Sequence, residues 1–210
     1  MKNYIYFIFT IYFIIGCSSA KNLKTPSFSS KEKQNIMGGD SLTPMRIFKI
    51  TNLKDSLLLR TASTYIAPNP KDPVLQNFVK RLYATVRDSM SMGVGIAAPQ
   101  VGILKNIIWV QRFDKENFPF EVYINPKITK YSEKTQTVRE GCLSIPNRSD
   151  TINSRSFSIS IEYDTMKAQH KTESVDGFTS VIFQHEIDHL NGILYLDHLQ
   201  KEINDAKRNN

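Results

Sequence analysis

Six consecutive residues, Gln184-His185-Glu186-Ile187-Asp188-His189, have the types and the spacing for chemistry on a metal ion. Residues four apart on a helix share a face, so His185 and His189 can aim their imidazoles at one cation. Glu186 then stands beside that cation, placed to carry protons without being a ligand. Two histidines that merely share helical spacing are the plain alternative. With only four histidines in the chain, that coincidence has few chances to arise. The usual zinc-protease continuation, a further His or Glu on a downstream helix, is not evident. Asp197 and His198 follow Ile193-Leu194-Tyr195-Leu196, which reads as ordinary packing. A third ligand has to come from elsewhere.

Cys142, in Glu140-Gly141-Cys142-Leu143-Ser144-Ile145-Pro146, is the candidate. Taken alone, it reads as a buried thiol packing like a small hydrophobe. Beside an H-E-x-x-H helix it completes a set of one thiolate and two imidazoles, which leaves a tetrahedral ion one position for water. An ion so held lowers the pKa of its water towards neutrality, and hydrolysis is the chemistry that follows. Glu186 would take up a proton and return it to the leaving amine.

These residues need elements to hold them. Phe178, Val181, Ile182 and Phe183 form the apolar approach to His185, and Asn191-Gly192 supplies a helix stop. A second helix is predicted over Pro73–Met90, from Asp72-Pro73 at its start and Val74, Leu75, Phe78, Val79, Leu82 and Val86 at helical spacing. Ile107–Val110, Val122–Ile124 and Ile159–Tyr163 read as strands, with Asn125-Pro126 closing the second. Gly93–Gly102 lacks both the third glycine of a dinucleotide fold and the lysine of a phosphate loop, which excludes nucleotide binding. Its Gly93 and Gly95 suit close backbone approach.

The chain has 210 residues and a net charge of +7. Its basic groupings are short and lack interleaved aromatics, so no nucleic-acid partner is expected. Residues 1–17 read as a lipoprotein-type signal. Lys2 precedes a twelve-residue run, Tyr4–Ile15, broken only by Thr10, and Gly16 stands directly before Cys17. Cys17 would then be acylated and anchor the protein to the membrane of a bacterial envelope; a plain cleavable signal or an uncleaved anchor fits the same run. Residues 18–44 are rich in Lys, Ser, Asn and Gly and read as a flexible polar tether. A catalytic domain is expected over 45–200 and a short polar tail over 201–210. With Cys17 set aside, Cys142 has no partner for a disulfide.

Three stretches, G-V-G-I-A-A-P-Q, E-G-C-L-S and Q-H-E-I-D-H, in this order from Gly93 to His189, resemble the signature motifs of the peptide deformylase family. The family pattern covers about Ile47–Leu199. The resemblance implies an α+β fold, with antiparallel sheets wrapped around a central metal-binding helix. It implies a metal-dependent hydrolase that removes formyl from the N-terminal formyl-methionine of polypeptides, with Fe2+ natively and Zn2+ or Ni2+ as substitutes. Gln100 and the Leu143 backbone N–H become oxyanion donors, and Gly95 allows close approach of the substrate. Val181 and Ile182 line the methionine pocket, Val94 lies nearby, and Arg148 is the nearest candidate for a substrate-contacting arginine. The chain departs from the family in its leader, in the polar Asn147–Arg155 segment and in its end. That end offers only Lys201, Lys207 and Arg208 for ribosome contact, so none is relied on.

Two rivals stand beside this reading. An exported metallopeptidase could use the same helix, although such enzymes usually take a His or Glu as third ligand. A membrane-anchored, non-catalytic peptide-binding protein would have no need of Glu186 and Gln100. The leader points to the envelope membrane and the motifs to the cytoplasm, and the leader is taken as the guide to location.

Overall fold

The computed structural model describes residues 27–89 and 91–208. The signal residues, the lipidation site Cys17 and the first part of the tether lie outside the described residues. None of the described helices is long and apolar enough to cross a membrane.

The fold is α+β. Five antiparallel strands form one sheet in the order β1 (Gly95–Ala97), β2 (Ile107–Gln111), β3 (Phe120–Tyr131), β6 (Ser158–Asp164) and β7 (His170–Asp176). A separate two-stranded sheet pairs β4 (Thr135–Cys142) with β5 (Ile145–Ser156). Helix α4 (Gly177–Leu190) packs against strands of both sheets, so the family picture of sheets around one helix holds. Its apolar side joins Ile108, Val110 and Tyr123 of the large sheet through Ile182, Phe183 and Ile187. Gly192, in the left-handed region at φ 72°, follows the helix end. Helix α2 (Leu53–Leu59) precedes helix α3 (Pro73–Arg87), which starts where the Asp72 carboxylate accepts from the Val74 N–H and buries Leu75, Phe78, Val79, Leu82 and Val86.

Strand β3 does not stop at Asn125-Pro126. It runs on to Tyr131 through a register shift between Ile124 and Lys127, with Asn125 at φ 51°. Proline cannot donate to a ladder, and a bulge lets the strand pass it. The polar Asn147–Arg155 segment is regular as well, forming most of β5. A two-stranded hairpin has little core to face, so only Ile145, Ile152, Arg155 and Ser156 of this strand are buried.

Residues 27–44 are not a tether. Ser29 caps helix α1 (Ser30–Met37) through a capping box with Glu32, and Phe28 and Ile36 are buried in the same core as Phe78. The segment is clamped by Arg81 of α3. Its guanidinium donates to the carbonyls of Asn35, Ile36 and Thr43 at 2.8–3.0 Å. A Cβ on Gly39 would lie 2.8 Å from the Arg81 Cζ, so this glycine serves close approach rather than flexibility. The expected tail at 201–210 is also ordered through residue 208 as the end of helix α5 (Tyr195–Arg208). Glu202 accepts the backbone N–H groups of Asn153 and Ser154 and ties α5 to β5.

Candidate metal centre

Helix α4 carries His185 and His189 on one face, and the turn between β4 and β5 brings Cys142 to them. The ligand atoms of Cys142, His185 and His189 all lie within 4.8 Å of one another. The Cys142 Sγ is 3.2 Å from the His189 Nε2. Burial pushes the Cys142 thiol up, but the imidazoles of His189 and His185 more than offset this and hold it well below its usual range. A thiolate is the form that binds metal. Burial likewise pushes His185 down, while Cys142 and Glu140 hold it well above its usual value. The donor set therefore fits a divalent cation: one anionic soft ligand, two nitrogens and no competing lysine or arginine among them.

Glu140, the first residue of the E-G-C-L-S stretch, orients this set. Its Oε2 lies 2.7 Å from the His185 Nδ1, which turns the Nε2 of the ring towards the cluster. A carboxylate behind a ligating imidazole fixes the tautomer and strengthens the ligand. Arg155 holds Glu140 in turn with two bonds of 2.7 and 3.0 Å. Burial raises the Glu140 carboxyl, but hydrogen bonds from His185 and Arg155 outweigh it and leave it at about 2. Arg155 also donates to Asp188 at 2.6 Å, and Asp188 contacts His198 at 2.8 Å. The sequence reading missed this chain of residues. Its one legible sign was the glutamate two places before the candidate thiolate.

Glu186 is buried beside the ligands, and its Oε2 has no hydrogen-bond partner among the described residues. Burial dominates its environment and raises its carboxyl to about 7. Gly95 makes room for it: a Cβ there would stand 2.5 Å from the Glu186 Oε1 and 2.8 Å from the Ile182 Cγ2. The neighbour that needs this glycine is thus Glu186 itself. Gln100 is buried with its Oε1 accepting from the Ala97 N–H at 2.8 Å. That bond points the Gln100 Nε2 at Ser144 Oγ, 3.3 Å away, and at Cys142 Sγ, 3.6 Å away.

A cleft of about 550 Å³ opens over the cluster, and Gly95, Gln100, Cys142, Leu143, His185 and Glu186 line it. Val94, Val181, Ile182 and Arg148 line it too. Ile182 doubles as a core residue. Arg148 is exposed and held 2.7 Å from Asp150.

A helix presenting H-E-x-x-H, a thiolate as third donor and a buried free carboxylate define a metal-dependent hydrolase. The chain belongs to the polypeptide deformylase family, whose model matches residues 47–205. It is 36% identical over 155 residues to a peptide deformylase of Desulforudis audaxviator, covering 73% of this chain and 94% of that one. Among solved structures it resembles a class I type b peptide deformylase from Acinetobacter baumannii bound to Met-Ala-Ser. The TM-score is 0.65 at 28% identity, with 74% of this chain and 98% of the other covered. The peptide deformylase of Thermotoga maritima is similar too, with a TM-score of 0.64 at 30% identity and coverage of 74% and 97%.

Proposed function

We propose that this enzyme releases formate from the N-terminal formyl-methionine of polypeptides or peptides, with Cys142, His185 and His189 holding one divalent ion. The observation that carries the reading is the cluster of those three donors beside a buried, unpartnered Glu186 carboxylate oxygen. When bound, the ion supplies a water activated near neutral pH and a positive charge against the formyl oxygen. Glu186 accepts the proton of the attacking water at its free Oε2 and delivers it to the departing amine nitrogen, which would be a poor leaving group as an anion. Gln100 donates from Nε2, and the Leu143 backbone N–H from the cleft wall, to the oxygen on which charge develops. Val181 and Ile182, with Val94, take the methionine side chain. Two bonds donated by Arg155 fix Glu140, and Glu140 fixes His185, so the ligand is already turned before the ion arrives.

Iron(II) is the proposed resident ion, and zinc or nickel suits the same thiolate and imidazoles. The proposed location is the envelope membrane, through acylated Cys17. The support is the apolar run Tyr4–Ile15 followed by Gly16-Cys17. Residues 18–26 lie between Cys17 and the described residues. The amide hydrolysed is a formyl amide rather than a peptide bond, and the family match runs over residues 47–205, which include every candidate site residue of the cleft.

The test is formate release from formyl-Met-Ala-Ser by purified protein that retains Ser27 onwards, alongside metal analysis. Glu186→Gln should keep the metal and lose roughly a hundredfold or more in turnover. A metal-free variant would make Glu186 a ligand and overturn its role. Fatty-acid labelling of wild type, lost in Cys17→Ala, tests the location; unlabelled wild type in the cytosol would overturn it.

A further inference from the structure

Every exposed charged residue that lines the cleft is a cation. Three exposed cations, Lys49, Arg139 and Arg148, line it, whereas its two glutamates are buried and committed. Glu140 is held by Arg155 and His185, and Glu186 stands by the metal ligands. Arg148 is largely neutralised, because Asp150 accepts from its Nε at 2.7 Å and lies beside its NH2 group. Among the described residues neither Lys49 nor Arg139 has a carboxylate within hydrogen-bonding distance of its side chain, although Asp150 also lies within electrostatic range of Arg139. Lys49 bonds through its backbone N–H to Asp55, and the Arg139 Nε donates to the Ser149 hydroxyl at 2.8 Å.

Neither cation is an incidental surface charge. Lys49 sits between Phe48, whose N–H donates to the Gln100 carbonyl at 2.7 Å, and Ile50, whose N–H donates to the Ser144 carbonyl at 3.0 Å. Its backbone is therefore fixed to two residues that flank the metal centre. Arg139 lies on β4, three residues before Cys142. With the formyl group at the metal centre and the methionine side chain against Val181 and Ile182, the rest of a substrate leaves across this rim. One or two extended residues beyond the methionine add roughly 3.5–7 Å of chain, within the cleft that both cations line.

Resting on the deformylase reading above, we propose that Lys49 and Arg139 make the enzyme select formyl-methionyl peptides bearing a carboxylate one or two residues beyond the methionine. That carboxylate is either an acidic side chain or the free C-terminus of a short peptide. Exposed ion pairs are individually weak, about two- to fivefold each in binding, and they act through encounter and KM more than through the chemical step.

The test uses the full-length, metal-loaded protein in detergent and a panel of substrates. Formyl-Met-Ala-Ser amide is the neutral reference. Formyl-Met-Asp-Ser amide and formyl-Met-Ala-Asp amide are compared with their lysine counterparts, and formyl-Met-Ala-Ser with a free C-terminus completes the set. The expected result is kcat/KM about tenfold higher for carboxylate-bearing peptides than for lysine peptides, residing in KM and shrinking as salt rises several-fold. The double variant Lys49→Glu, Arg139→Glu should invert the ratio, and the Kd values of the deformylated product peptides should follow the same order. A gain by the free acid alone identifies short released peptides as the favoured class, and a gain by the aspartyl amides identifies acidic side chains; either supports the proposal. Formate released equally from aspartyl and lysyl peptides, or a preference unmoved by both salt and the double variant, would overturn it. Formate from none of the peptides would overturn the deformylase reading and this proposal with it.

Discussion

Arg112 and Arg155 are both buried, with side chains 2% and 3% exposed, and both lean on helix α4. Arg112 lies 5.6 Å from the Phe183 ring and pairs with Asp114, Glu121 and Glu173, while Tyr123 donates on to Glu121. Arg155 pairs with Glu140 and Asp188. The difference lies in the carboxylates. Those around Arg112 are 23–35% exposed, so water shares the work of balancing the charge. Glu140 and Asp188 are 4% and 15% exposed, and the Glu140 Oε2 that Arg155 bonds is also the partner of His185. A buried ion pair is weak evidence of net stability, because desolvation cancels much of the attraction. The Arg155 pairs are better understood as a brace that turns a metal ligand, and the Arg112 pairs as a seam joining the end of β2 to β3 and β7.

The largest effect should come from breaking the brace at Glu140. Glu140→Gln leaves Arg155 with one carboxylate and deprives the His185 Nδ1–H of a charged acceptor. Metal affinity should fall about 10- to 100-fold. Stability of the metal-free protein should fall by about 2 kcal/mol, as the buried Arg155 and His185 donors lose their charged acceptor while Asp188 keeps its pair with Arg155. Competitive chelator titration and urea unfolding read the two separately. Unchanged metal affinity would reduce the brace to a second seam.

Arg112→Met should cost stability on a similar scale, about 3 kcal/mol, because Asp114, Glu121 and Glu173 lose their common partner. Metal affinity should stay within about twofold, since no ligand is reached through this network. A chelator titration showing a tenfold loss would mean that strain passes through Phe183 to His185, and the contrast between the two arginines would fail.

Acidity sharpens the same contrast. The Arg112 guanidinium beside Asp114 holds its carboxyl below the ordinary value of 3.8. A group depressed in the folded state contributes stability above its unfolded pKa and loses it as pH falls through the folded one. Wild-type stability should therefore drop below about pH 4, and part of that drop should disappear in Arg112→Met. Urea midpoints at pH 5 and pH 3 check this; an equal drop in both proteins would assign the acid sensitivity elsewhere.

The centre of this site was more legible in the sequence than its supports. His185, Glu186 and His189 announce themselves by helical spacing, and Cys142 by being a thiolate donor without a disulfide partner. Arg155 gave no such sign, since an arginine in a polar stretch looks solvated until the fold buries it under Glu140 and Asp188. The same limit hid β5, whose pattern answers to a hairpin and not to a core. Residues 27–44 failed differently. Ser29-x-x-Glu32 is a readable capping box, but the apolar residues that hold the segment down are few, Phe28 and Ile36 with Met45 just beyond it, and much of the anchoring is Arg81 and Asn77 reaching backbone carbonyls. Backbone acceptors carry no sequence signature, so composition alone suggested a tether.

The smallest effects should come from the outer ends of the two networks, where the comparison predicts convergence. Lys115 ends the Arg112 network, bonded to Glu121 at 2.8 Å with 39% of its side chain exposed. His198 ends the Arg155 network, 2.8 Å from Asp188 and 30% exposed. Removing Lys115 leaves Glu121 with Tyr123 and Arg112, so Lys115→Ala should cost less than about 1 kcal/mol. Removing His198 leaves Asp188 with the 2.6 Å bond from Arg155, so His198→Ala should cost about 1 kcal/mol, the value of one partly buried hydrogen bond. Neither should move metal affinity by more than about twofold, because in each case the inner arginine keeps its place. If His198→Ala instead weakened metal binding as much as Glu140→Gln, the brace would extend through Asp188 to helix α5. Its origin would then lie two elements away from the metal and not at Arg155.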